Sequence, residues 1–145
     1  MGLAASVVLS ALTVGAVAAS PASQVPGGSG RLEILVGPKA FAVTVYDNAA
    51  TAELMRRLPL TLDMSELNGN EKYCYLPFGL PAASSQLGSI KSGDLMLYGS
   101  DCLVLFYESF SSSYSYTKLG YVPDVTGLAE ALGKGSVQVT FRALK

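Results

Sequence analysis

Five carboxylates, Glu66, Glu71, Asp94, Asp101 and Glu108, fall between positions 66 and 108 of this 145-residue chain. Paired acids can exchange protons with a substrate or hold a cation, so they are the first candidates for chemistry. Turns and strand ends also collect Asp and Glu for their local hydrogen bonds, and a site made of any two competes with that plainer use. The chain has no His, which removes Ser/His/Asp and Cys/His nucleophilic catalysis in their ordinary forms. Two cysteines without His do not suffice for a structural zinc site, and neither a metal nor a cofactor is expected. Tyr114 and Lys118 have the Y-x-x-x-K spacing that serves dehydrogenases when both residues share a helix face. Here the intervening pattern is strand-like and no Gly-rich dinucleotide loop accompanies it. Ser113 with Lys118 matches a Ser-Lys dyad by spacing alone, and a solvated lysine accounts for it as well. No P-loop, EF-hand or N-glycosylation pattern is present, and no catalytic residue is assigned.

The aromatic residues carry more information. Tyr73, Tyr75, Phe78, Tyr98, Tyr107, Phe110, Tyr114 and Tyr116 concentrate in the middle of a chain with eight Tyr and no Trp. Such rings either fill a core or line a concave site, where a flat face with a hydroxyl can stack on a ligand. The segment Ser111 to Thr117 alternates tyrosines with hydroxyl residues directly after an apolar strand. A purely structural strand would favour Val, Ile or Leu at its inward positions, which have no hydroxyl to satisfy. Tyr75, Phe78, Phe110, Tyr114 and Tyr116 are therefore the candidate ligand-binding residues, for a small molecule or an extended peptide.

These side chains must be positioned by strands. Gly93 to Gly120 holds two nearly continuous apolar runs, Leu95 to Tyr98 and Cys102 to Tyr107, joined by Gly99-Ser100-Asp101. The pair predicts a buried hairpin, followed by a third strand over Ser113 to Thr117. Arg31 to Val36 and Ala40 to Tyr46 alternate with period two, as do Leu60 to Ser65 and Ser136 to Arg142. Asn68-Gly69 predicts a hairpin turn into a strand at Glu71 to Leu76, and Pro77 through Gly88 reads as loop. A helix is predicted over Ala49 to Leu58, with Asn48 as N-cap and Pro59 as its stop. Arg56 and Arg57 fall in its last turn and read as solvated charges. A second helix is predicted over Val125 to Leu132, capped by Asp124 or Thr126 and ended by Gly133. The expected core includes Val43, Val45, Leu62, Leu97, Leu103, Leu105, Val137, Val139 and Phe141. The result is a mainly β protein whose eight antiparallel strands remove their edges by closing into a barrel, with two short helices capping its mouths.

Every one of the 10 basic and 11 acidic side chains lies at or beyond Arg31. Leu3 to Ala18 has the length and apolarity of a signal-peptide core and ends in small residues that fit cleavage after Ala18 or Ala19, although no Lys or Arg precedes it. Residues 1–19 are thus expected to be a signal peptide, with an uncleaved N-terminal membrane anchor or a mis-called start as the alternatives, 20–30 a Pro/Gly/Ser-rich flexible leader, and 31–145 one folded domain. The expected location is outside the cytoplasm, secreted or periplasmic, with no stable membrane span after cleavage. Cys74 and Cys102 could pair in an oxidising compartment or be small buried apolar residues. The net charge of −1, evenly scattered, gives nucleic acid no basic face to bind.

The segments LNGNEKYCYLPF (Leu67 to Phe78), GDLMLYGSDCLVLFYESF (Gly93 to Phe110) and SYSYTKLG (Ser113 to Gly120) resemble a bacterial family of cyclophilin-like domain proteins. The element order agrees, and the resemblance covers nearly all of Arg31 to Leu144. It implies a cyclophilin-like barrel but no established activity. Cyclophilins isomerise prolyl bonds with an arginine near a Phe-His-Arg segment on an early strand. The strand in that place reads Leu60-Thr61-Leu62-Asp63-Met64, and the chain has no His or Trp. Fold alone does not transfer the activity. The expected function is a non-catalytic ligand- or peptide-binding module. The alternative is an enzyme, either a divergent prolyl isomerase or one using carboxylates.

Overall fold

The computed structural model describes residues 30–144. The expected signal peptide and, apart from Gly30, the expected leader lie outside the described residues. The elements are β1 (Arg31–Val36), β2 (Lys39–Val45), α1 (Ala49–Arg56), β3 (Leu60–Leu67), β4 (Glu71–Tyr75), β5 (Ser85–Ile90), β6 (Asp94–Tyr98), β7 (Cys102–Phe106), β8 (Phe110–Tyr121), α2 (Leu128–Leu132) and β9 (Val137–Leu144). The strands pair in the order β2-β1-β9-β3-β4-β7-β6-β8-β5, and β8 also pairs with β2. That last pairing closes an eight-stranded antiparallel barrel, as expected, and leaves β5 outside it as a ninth strand on the N-terminal half of β8.

Two separate apolar clusters explain why β6 and β7 read as continuous hydrophobic runs. Leu95, Leu97, Leu103 and Leu105 point into the barrel, where they meet Leu32, Ile34, Val43, Val139 and Phe141. Each such leucine contributes about 2 kcal/mol by leaving water. The alternate residues Met96, Cys102, Val104 and Phe106 face outward and are also buried, under Ile90 of β5 and Tyr116 of β8. The ribbon of β5 and the N-terminal half of β8 therefore folds back over the outer surface of the barrel. Of the expected core residues only Val137 is not fully buried.

Local chemistry sets the turns. Asn68 and Gly69 both take positive φ, 58° and 68°, as a type I′ turn requires, and the Asn70 N–H donates to the Leu67 carbonyl at 3.2 Å. Asn48 caps α1 by accepting from the Thr51 N–H at 2.8 Å while its amide donates to the Lys118 carbonyl at 2.8 Å. A bulge in β8 between the partners of Leu95 and Met96 frees the Leu119 carbonyl, which accepts from the Tyr46 N–H and the Thr51 hydroxyl. That fixes α1 against the barrel.

Four elements differ from the sequence reading. α1 ends at Arg56 rather than Leu58, with a tighter last turn before Pro59. Its Arg56 and Arg57 stay solvated as expected, and both also pair with Glu53 at 2.7 and 2.8 Å. α2 begins only at Leu128, because Gly127 takes a left-handed conformation and the Asp124 carboxylate closes a local turn on the Thr126 N–H instead. β8 runs for 12 residues rather than the five of Ser113 to Thr117, and β5 occupies part of the segment read as loop. The two cysteines are free. Cys74 pairs across the ladder with Leu103 and Cys102 with Tyr75, so the thiols leave opposite faces of the sheet.

Candidate functional site

On β4, residues Glu71, Tyr73 and Tyr75 share the outer face, because side chains alternate along a strand. Their ladder partners on β7 are Phe106, Val104 and Cys102, and on β6 Tyr98 stands opposite Cys102. The overlying half of β8 brings in Tyr114 and Tyr116. Together with Leu67 at the end of β3, these residues other than Phe106 line a cavity of about 300 Å³, between the outer ribbon and the barrel wall.

The rings are packed against one another rather than scattered. Tyr98 lies 5.8 Å from Tyr116 and 5.9 Å from Tyr114 between ring centroids, both in tilted or edge-on geometry. Tyr116 stands edge-on to Phe106 at 5.5 Å, and Phe106 continues to Phe110 at 5.6 Å. On the opposite wall Tyr73 and Tyr75 meet edge-on at 6.1 Å. Tilted and edge-on pairs at these separations are the favoured aromatic geometries, so the lining is preorganised.

The floor and the rim differ in exposure. Glu71, Cys102, Val104 and Tyr116 are buried, whereas Leu67, Tyr75, Tyr98 and Tyr114 are exposed. Only two other large apolar side chains are exposed among the described residues, Tyr121 and Val125. Most of the uncovered large apolar surface thus surrounds one concavity.

Of the five residues expected to bind ligand, the structure brings together Tyr75, Tyr114 and Tyr116. Phe78 lies elsewhere, against the barrel core with the Arg57 guanidinium 4.3 Å above its ring. Phe110 belongs to the outer cluster and borders a separate shallow groove with Ser89, Lys91 and Val125. Sequence reasoning passed over Leu67, Cys102 and Val104 as site residues, weighed Glu71 only among the carboxylates, and left Tyr73 and Tyr98 in the general aromatic set. The ladder registers that bring them together are not encoded locally. The one available signal was the outward parity of Glu71, Tyr73 and Tyr75 on a single strand.

Burial shifts titratable groups that line the cavity. Burial, reinforced by Asp101 and Glu71, pushes the Cys102 thiol up to about 11, so it stays protonated and non-nucleophilic at neutral pH. Burial also raises Tyr116. Glu71 is raised by burial first and then by the like charge of Glu66.

Behind the same hairpin lies a second polar group. Lys72 faces away from the cavity and is fully buried, with its ammonium donating to Glu66 Oε1 at 2.8 Å and to the carbonyls of Gly133 and Gly135 at 2.8 and 2.6 Å. The Tyr107 hydroxyl donates to the same Glu66 oxygen at 2.7 Å, and the Gly69 N–H to the other oxygen at 2.6 Å. Burial and the bond to Glu66 push Tyr107 up to about 12. Every charge here is matched, and the group ties the end of α2 to one barrel mouth. Asp94 accepts from the Lys91 N–H in a turn.

A model of the cyclophilin-like family matches residues 34–142. The solution structure of the hypothetical protein AF2241 from Archaeoglobus fulgidus superposes with a TM-score of 0.53 at 14% identity, over 79% of this chain and 95% of that one. At that identity the likeness concerns the fold. No curated protein matches the chain in sequence. With three quarters of its length matched and its barrel closed between β2 and β8, the chain belongs to the cyclophilin-like family.

Proposed function

We propose that this protein is a non-catalytic binding module that holds a small molecule or part of an extended peptide in the aromatic cleft on the outer face of its barrel. One observation carries the reading. Leu67, Tyr75, Tyr98 and Tyr114 stay exposed around a cavity whose floor is buried, although a soluble domain gains by covering such surface. The volume of about 300 Å³ lies at the lower end of the roughly 300–1,000 Å³ usual for small-molecule sites. It suits a compact ligand or one side chain of a peptide. The protonated thiol and the absence of His favour binding over catalysis. We further propose that it works after export, since all charged residues begin at Arg31. N-terminal sequencing of protein from its own cell checks this, and an intact Met1 on cytoplasmic material contradicts it.

A thermal-shift screen of peptides, sugars and small aromatics tests the binding reading, because a ligand of the native state raises its apparent stability. A hit whose shift disappears in Tyr98→Ala supports the cleft. Hits indifferent to that change, or none, oppose it.

A further inference from the structure

The cleft contains one charge, and that charge has no partner. Glu71 is only 8% exposed, yet among the described residues its carboxylate accepts no hydrogen bond and forms no ion pair. The neighbouring ammonium, Lys72, leaves the opposite face of β4 and is committed to Glu66. The charged group felt most at Glu71 is Glu66, of the same sign. Its other cleft neighbours, Tyr73, Tyr98, Cys102 and Tyr116, carry no positive charge. The Glu71 oxygens are not sealed from solvent, since the one sealed side-chain polar atom without a partner among the described residues is Asn70 Oδ1, but a largely buried carboxylate without a partner still costs stability that a bound group of opposite charge offsets. Tyrosine rings supply the second half of the argument, because their faces attract cations and repel anions.

We propose that the cleft recognises an organic ammonium group, seated against the Glu71 carboxylate and enclosed by the tyrosine rings around it. This rests on the cleft being a binding site and names the chemistry it selects. A carboxylate or phosphate ligand would meet Glu71 as a like charge. A neutral aromatic ligand would stack on the rings but leave Glu71 unpaired. The ammonium can come from a small amine or from the end of a lysine side chain, and the cavity's size admits either.

Isothermal titration of the full chain near neutral pH tests this with four probes: benzylammonium, its neutral isostere benzyl alcohol, and blocked Gly-Lys-Gly and Gly-Gln-Gly peptides. Benzylammonium is expected to bind at least roughly tenfold more tightly than the alcohol, as a charge-assisted contact plus cation–π attraction implies. Glu71→Gln should erase that preference, and Tyr98→Leu should reduce it without unfolding a half-exposed position. Preference for the lysine peptide over benzylammonium would identify a protein side chain as the source, and the reverse a small amine. Equal binding of benzylammonium and the alcohol, or a preference that survives Glu71→Gln, overturns the ammonium assignment and leaves the cleft as a binding site. No binding of any probe overturns both.

Discussion

Glu66 and Glu71 flank one hairpin and titrate in opposite directions because of what faces them. Burial works against the charge on Glu66, but the bonds from Lys72, Tyr107 and the Gly69 N–H outweigh it and hold this carboxyl below its usual range. Its contribution to stability is present above the ordinary carboxylate pKa and is lost as pH falls through the depressed folded value. Glu66→Ala should cost about 3 kcal/mol or more in urea unfolding, since it strands the fully buried Lys72 ammonium. A loss under about 1 kcal/mol would mean that the two carbonyls suffice for Lys72. Glu71 has the other sign. Its raised pKa makes the protonated form the stabilising one, a contribution complete below the ordinary carboxylate pKa and lost as pH rises through the folded value. Glu71→Gln should therefore unfold later than the parent at neutral pH, with the difference shrinking on acidification. An unchanged difference across that range would show that Glu71 is not the group responsible.

At the scale of elements, strands that bury one face or both were legible, because their period-two alternation or unbroken apolar run survives in sequence. Strand β5 was not. It is an edge strand whose register on β8 shifts between Gln86 and Gly88, where Gly88 takes φ 83°. The shift breaks the alternation, so that Leu87 and Ile90 alone signal burial. The same device shortens the straight edge that another strand could use. The β8 side of the candidate site, Tyr114 and Tyr116, was legible in the tyrosine spacing, and the larger remainder depends on how β4, β7 and β6 lie side by side. Tyr116 joins the two halves, packed between Tyr98 and Phe106. Tyr116→Ala should cost about 3 kcal/mol, as truncation of a buried aromatic does. It should also speed hydrogen exchange of β5 amides more than those of β1 and β9. Uniform acceleration would place Tyr116 in the barrel core instead of the outer ribbon.

For the whole molecule, closure depends on one close approach. A Cβ on Gly120 would stand 2.5 Å from the Thr44 carbonyl oxygen and 3.1 Å from a Val43 methyl, where β8 meets β2. Gly120→Ala should destabilise by about 1–3 kcal/mol, since backbone must shift to admit the methyl. A neutral effect would show that the seam is loosely joined. With the barrel closed there, the curled ribbon of β5 and β8 has one surface left to cover, and it stops short over the cleft. Amide shift mapping by proton–nitrogen NMR, on the full chain titrated with benzylammonium, tests that cleft most directly. The expected result is saturable shifts concentrated at Glu71 to Tyr75, Tyr98 to Val104 and Tyr114 to Tyr116. Shifts centred on another groove, such as Lys39 to Ala42 beside Pro123, or no saturable shifts, would contradict it.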